Sequence, residues 1–313
     1  MIIYIDAPFN EEHKAILRAG TVGDVLVFKD EIEKPEDQLK ALLSADILLG
    51  NPKPADWLGK AVNLKWVQLH STGFDIYAGI NIPAIVTNMK DYYAQPCAET
   101  AIAGIMALYR GMNRFAVLKE QQEWIGYPIR AGLQLLQNKK VIILGAGGLG
   151  KHVAKILNAF DCEISFYART AAEAVLRSSE QLLSAIPSAD IVIGCLPGTM
   201  QTKGLFTAAM IRSMKPGSVF CNIGRGNLLE DETVLVDVLQ RGLIGGAVLD
   251  VTSIEPLPPE HPLWKCPNTI LSQHSGGGNI TENEGIVRFF LQNLDLFKKS
   301  KPLMNVIELH RGY

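Results

Sequence analysis

Short apolar runs recur along the chain and alternate with amphipathic stretches. Residues 2–6 (IIYID), 25–28 (VLVF), 46–50 (DILLG), 66–69 (WVQL) and 84–87 (AIVT) read as strands, because brief, mostly aliphatic runs fit a sheet covered on both faces. After the first strand, Asn10 is placed to cap a helix over EEHKAILRAG, with Ala15, Ile16 and Leu17 turned inward and Gly20 as its stop. A second helix is predicted over PEDQLKALLSA, between the second and third strands. This alternation implies a parallel sheet with helices on its faces.

The pattern changes after Tyr92-Tyr93-Ala94-Gln95-Pro96. CAETAIAGIMALYRGMNRF is predicted to be one long helix of small residues, and residues 119–138, which have no clean period, read as an arm or linker. Alternation then resumes, with strands expected at 141–145, 163–167, 190–195, 217–222, 244–250 and 269–272, the count of a six-stranded dinucleotide domain. TENEGIVRFFLQNLDLFKKS predicts a final amphipathic helix able to return to the first domain. The expectation is therefore an α/β protein of two doubly wound parallel sheets: a flavodoxin-like substrate domain (1–95), a Rossmann dinucleotide-binding domain (96–277) inserted in it, and a C-terminal helical segment (278–313) that completes the first.

At the head of the second domain stands VIILGAGGLG. Four aliphatic residues, Val141 to Leu144, are followed by Gly145, Gly147 and Gly150 in G-x-G-x-x-G spacing, and a helical stripe of Val153, Ile156 and Leu157 comes next. In such a turn the first glycine allows the sharp bend, the second admits a pyrophosphate, and the third lets the helix lie close to the strand. Gly148 and Leu149 open the helix, whose free N–H groups would face the phosphates.

Composition narrows the choice of partner. Lys+Arg 30 against Asp+Glu 32 leaves a formal net charge of -2, so nothing calls for nucleic acid or an anionic membrane. The five cysteines lack metal-ligand spacing and are odd in number, which fits reduced thiols in a cytosol and no bound metal. The apolar start meets Asp6 at once and has no basic leader, so it reads as a strand and not a signal peptide. A cytoplasmic protein without a membrane span is expected.

In NAD-binding sites a carboxylate about 20 residues beyond the glycines binds the ribose. Here the second strand ends in Ile164-Ser165-Phe166-Tyr167 and is followed by Ala168, Arg169 and Thr170. A guanidinium and a hydroxyl where a carboxylate would repel suit a 2'-phosphate, so NADP(H) is the expected cofactor, with NAD(H) as the second choice.

Three further strand ends carry reactive residue types: Asn222-Ile223-Gly224-Arg225-Gly226, Asp250 followed by Glu255-Pro256, and His274 followed by Ser275-Gly276-Gly277-Gly278. Open α/β sheets bind ligands at this edge. Each residue has a plain structural alternative: a surface ion pair for Arg225, loop solvation for Glu255, a turn histidine for His274.

Together these stretches resemble the D-isomer-specific 2-hydroxyacid dehydrogenase family. The resemblance extends to Ser71-Thr72-Gly73-Phe74-Asp75, the helix start at Pro96-Cys97-Ala98-Glu99, CLPGTMQT at 195–202, and HPLW at 261–264. FYART, the modest length and the Arg311-Gly312-Tyr313 end look like the NADPH-dependent glyoxylate and hydroxypyruvate reductases of that family.

The resemblance implies the following roles. Arg225 binds the carboxylate of a small 2-oxoacid, His274 donates a proton to its oxo group as hydride arrives, and Glu255 holds His274. Backbone N–H groups of Thr72 and Gly73 grip the carboxylate from the first domain. Asp250 accepts from the nicotinamide carboxamide, while Cys195, Leu196, Pro197, Thr202, Ile223, Gly224 and Gly276 line the cofactor; a homodimer is also implied. Three positions depart from the family pattern: Thr252 stands for an aromatic, Ser275 for an aliphatic and Glu230 for an aspartate. The alternative is a nucleotide-sensing protein of the same superfamily that binds NAD(P)(H) without turnover.

Overall fold

The structure, a computed structural model, describes residues 1–311. Apart from the Arg311 backbone, the Arg311-Gly312-Tyr313 end lies outside the described residues. Met1–Tyr92 with Asn279–Tyr313 forms one unit and Tyr93–Gly278 the other.

In the first unit, β1 (Ile2–Asp6), β2 (Val25–Phe28), β3 (Ile47–Gly50), β4 (Trp66–Gln68) and β5 (Ile85–Thr87) are parallel, in the order β5-β4-β3-β1-β2. From the chain end, β13 (Val306–Ile307) adds an antiparallel edge strand beside β5. The sequence showed no sign of it, since two residues carry no period. Asn10 caps the helix Glu11–Gly20 by accepting from the His13 N–H at 3.0 Å.

On that helix Leu17 is buried, but Ala15 is exposed and Lys14 takes the inward place expected of it. Lys14 lies on the face of Leu17, three residues along. Its ammonium rests 4.9 Å from the Phe28 ring and meets Asp30 and Glu31 at 2.8 and 3.2 Å, which offsets the cost of burying the charge. The helix Glu282–Lys298 belongs to this unit's core: Phe290 and Phe297 stack on Trp66 at 5.1 and 5.6 Å.

The second unit has seven parallel strands, one more than expected: β6 (Lys140–Leu144), β7 (Glu163–Tyr167), β8 (Ala174–Leu176), β9 (Ile191–Gly194), β10 (Val219–Asn222), β11 (Gly246–Leu249) and β12 (Thr269–Leu271). The extra strand, β8, is three residues on the outer edge of β7. The predicted long helix is two, Ala94–Tyr109 and Met112–Gln121, broken where Gly111 turns left-handed at φ 67°. The arm contains a short helical turn, Tyr127–Gly132.

Successive residues of β6 point to opposite faces: Val141 and Ile143 join one buried cluster, Ile142 and Leu144 the other. The sheet order β12-β11-β10-β9-β6-β7-β8 reverses between β6 and β9, the switch point where ligands of such sheets bind. Register makes this edge level. Leu144 and Asn222 both align with Gly194, Asn222 with Leu249, and Leu249 with Leu271. The next residues, Gly145, Cys195, Ile223, Asp250 and Ser272, therefore emerge side by side.

Candidate active site

At the switch point the glycine turn has the geometry its spacing requires. Gly145 sits at φ 114°, where a side chain would be strained, and a Cβ on Gly150 would overlap the Gly145 carbonyl. The helix Gly148–Asn158 therefore starts hard against β6. No side chain caps its first turn, and a Cβ on Gly147 would project into open space, the place a pyrophosphate would take on those amides. The residues present fit a dinucleotide.

Around this turn the neighbouring loops are drawn in closely. A Cβ on Gly224 would lie 2.5 Å from the Leu196 carbonyl, so the β9 and β10 loops touch through backbone. The Thr202 hydroxyl donates to the Pro197 carbonyl at 2.5 Å and is largely buried, locking the 197–202 loop. Burial pushes the thiols of Cys195 and Cys221 well above their usual range, which favours the neutral thiol.

Beyond β7, Arg169 and Thr170 are exposed. Two residues not foreseen from the sequence organise this corner. The Gln201 amide oxygen accepts from Arg169 Nη2 at 2.5 Å, and the Arg177 guanidinium donates to the Arg169 and Ala171 carbonyls at 3.2 and 3.0 Å. The Arg169 fork and its loop are thus held by protein contacts.

Arg225, Glu255 and His274 lie in the loops after β10, β11 and β12, and the structure brings Glu255 and His274 into contact. Asn222 braces the first of these loops, donating to the Arg225 carbonyl at 2.9 Å and accepting from the Gly224 N–H at 3.2 Å. Asp250, buried at 4% exposure, accepts through Oδ1 from the Ser272 hydroxyl (2.8 Å) and the Gly276 N–H (2.9 Å). Its carbonyl accepts from the His274 N–H at 2.6 Å.

Gln273 and His274 both lie in the left-handed region, φ 55° and 54°. Two consecutive non-glycine residues there are held only because the surroundings over-determine them. The result is that His274 Nδ1 meets Glu255 Oε2 at 2.7 Å, while Glu255 Oε1 accepts from the Thr252 N–H at 3.0 Å. Nδ1 is thus the ring nitrogen that faces the carboxylate, and Nε2 lies on the opposite side of the ring.

Thr72 and Gly73 belong to the first unit, in the loop after β4. The Thr72 carbonyl accepts from Asn88 Nδ2 at 2.6 Å and the Gly73 carbonyl from the Ser71 hydroxyl at 2.6 Å, which pins the loop backbone.

A nucleotide fold with a histidine–carboxylate pair and an arginine on its ligand edge matches a known arrangement. The family model for the D-isomer specific 2-hydroxyacid dehydrogenase NAD-binding domain covers residues 102–276. The chain belongs to this family.

The chain is 30% identical over 289 residues to a glyoxylate reductase of Thermofilum pendens, with 87% of this chain and 84% of that protein covered. Over 225 residues (70% and 69% of the two chains) it is 29% identical to glyoxylate/hydroxypyruvate reductase A of Serratia proteamaculans. Among solved structures, a D-isomer specific 2-hydroxyacid dehydrogenase family protein from Aeromonas salmonicida superposes with a TM-score of 0.83 at 26% identity, covering 98% of this chain and 99% of that one. An NADPH-dependent glyoxylate/hydroxypyruvate reductase from Sinorhizobium meliloti, solved with NADP and sulfate, gives 0.83 at 23% identity over 100% and 99%, a likeness of fold.

The chain is accordingly an NAD(P)-dependent D-2-hydroxyacid dehydrogenase. No described helix is long and apolar enough to cross a membrane, and no metal-binding group of His, Cys, Asp and Glu occurs among the described residues.

Proposed function

We propose that this dehydrogenase reduces a glyoxylate- or hydroxypyruvate-like 2-oxoacid to its D-2-hydroxyacid, with NADPH preferred over NADH. The observation that carries this reading is the 2.7 Å bond from His274 to Glu255, in the loops that follow β12 and β11. When bound, the reduced nicotinamide supplies the hydride. Arg225 takes the substrate carboxylate in its fork and polarises the oxo group. His274 Nε2 gives a proton to the oxygen that becomes the hydroxyl, and Glu255 keeps the ring oriented and stabilises its protonated form. Thr72 and Gly73 would add backbone donors to the carboxylate, and Asp250 an acceptor for the carboxamide. Gly145, Gly147, Gly148, Leu149 and Gly150 would hold the pyrophosphate. Arg169 and Thr170 would take the 2'-phosphate, and Cys195, Leu196, Pro197, Thr202, Ile223, Gly224 and Gly276 would flank the cofactor.

The test follows absorbance of the reduced nicotinamide with glyoxylate, hydroxypyruvate, pyruvate and phenylpyruvate. NADPH is expected to be consumed with a small oxoacid much faster than NADH, and Arg169→Ala to raise KM for NADPH by about tenfold or more while barely moving KM for NADH, a loss of about 1.4 kcal/mol or more. Equal losses for both cofactors would contradict the 2'-phosphate assignment. No turnover with any acid would favour a nucleotide-sensing role.

We propose also that the chain pairs with a second copy through the arm that follows Tyr109. Met112, Val117, Trp124, Tyr127 and Leu135 are 57%, 55%, 95%, 77% and 63% exposed, a run of apolar side chains that a monomer would leave in water. Light scattering is expected to give twice 34.3 kDa; a mass near one chain would refute the pairing.

A further inference from the structure

Glu255 sits on an exposed stretch, Ser253 to Glu255, that has no regular structure of its own. A short exposed loop is a poor platform for a group that must meet His274 within a fraction of an ångström. Something has to hold it. The structure offers a carboxylate that the proposed reaction does not use: Glu232, first residue of the helix Glu232–Gln240, with its side chain 6% exposed.

The Glu232 contacts converge on that loop. Its Oε1 accepts from the Ser253 N–H at 3.0 Å and its Oε2 from the Ser253 hydroxyl at 2.8 Å. His261 Nε2 stands 3.6 Å from Oε2. Because His261 Nδ1 accepts from the Leu263 N–H at 3.3 Å, a neutral ring carries its proton on Nε2 and turns it toward the carboxylate. A buried carboxylate is tolerated only when its oxygens are satisfied, and here two of the partners come from one loop residue. Lifting Ser253 away would strip both, so the loop is tied down by the energy of desolvating Glu232. The other side is closed by Gly226, next to Arg225: a Cβ there would overlap the Thr252 carbonyl.

We propose that Glu232 is a positioning residue for the reaction, acting through Ser253 to set Glu255 against His274. The inference rests on the reading of His274 and Glu255 as the proton-donating pair. Glu232 touches neither of them. It anchors the residue two places before Glu255, and the Thr252 N–H, one place further back, is the group that Glu255 itself grips.

The experiment is a double-mutant cycle on the full-length protein. Glu232→Gln keeps the shape of the side chain and removes its charge; Ser253→Ala removes one of the two ties and leaves the backbone bond. Glu232→Gln is expected to lower kcat by about tenfold, the order of a lost hydrogen bond to a charged group. Ser253→Ala should lower it by less, with KM for NADPH and NADPH affinity by fluorescence titration near wild type in both. In a Glu255→Gln background, Glu232→Gln should cost almost nothing more, because the group it positions is already neutralised. A second readout needs no turnover: the downfield proton resonance of the His274 Nδ1–H bonded to Glu255, assigned by its absence in His274→Gln, should broaden or vanish in Glu232→Gln.

Additive effects in the cycle, or an unchanged resonance with unchanged kcat, would overturn the proposal. Full turnover in Glu255→Gln and His274→Gln would instead overturn the reading beneath it, so the two failures are told apart.

Discussion

Replacing His274 with alanine is expected to lower kcat by about 10²- to 10⁴-fold, the range that a positioned proton donor contributes. Affinity for the dinucleotide should stay near wild type. The cause is local. Nδ1 is committed to Glu255 at 2.7 Å, and the ring is held out by two left-handed residues in succession and by the bond from the His274 N–H to the Asp250 carbonyl. Alanine leaves the carboxylate in place and the proton source missing. His274→Gln is expected to lose nearly as much, because an amide can keep a hydrogen bond to Glu255 but cannot cycle a proton at neutral pH. Steady-state rates in the reductive direction, with NADPH titrated separately by fluorescence, make the check. Turnover within threefold of wild type would remove His274 from the role assigned to it.

Alanine at Gly226 is expected to do comparable damage without removing a single reactive group. Its Cβ would overlap the Thr252 carbonyl, which is backbone and has nowhere to swing. Either the loop that carries Glu255 or the turn that carries Arg225 must move, and a displacement of about 1 Å is enough to cost on the order of 10²-fold. Overpacking of this kind also destabilises by roughly 1–3 kcal/mol. In a unit of this size that is a fall in Tm of about 2–4 °C for each kcal/mol. Wild-type kcat and Tm in Gly226→Ala would mean that the two loops yield more easily than their contact suggests.

These two substitutions differ in how far the chain alone could have pointed to them. His274 is legible as a residue type at a strand end, and the family resemblance supplied its role. The overlap of Gly226 with Thr252 joins residues 26 apart in the chain, and no local pattern marks it. The same holds for the other supports of the site. Gln201 reaches Arg169 across 32 residues and Glu232 reaches Ser253 across 21. Arg177 looks like any exposed arginine until the loop it braces is in view.

The fold shows the same division. The five parallel strands of the first sheet, the glycine turn and the final amphipathic helix follow from steric and hydrogen-bonding preferences that act over a few residues, and those are written in the apolar period. Four features were missed or misplaced because they depend on neighbours. The strands Ala174–Leu176 and Val306–Ile307 are too short to show a period and exist because an edge was there to pair with. Ala15 yields its inward place to Lys14 because the face of the helix is set by Phe28, Asp30 and Glu31. The long helix breaks at Gly111 into two pieces.

By itself, then, the sequence determined a parallel α/β sheet with a dinucleotide turn at Gly145 to Gly150, and the residue types that could do proton and carboxylate chemistry beside it. Tertiary structure decided that the ends of β6, β9, β10, β11 and β12 lie level, and so which of those residues meet. Each strand's register is fixed by its neighbours across the sheet and by the side chains packed on both faces, an interaction between segments far apart in the chain. The pairing of β11 with β12 sets side by side the strands whose loops carry Glu255 and His274, which meet at 2.7 Å.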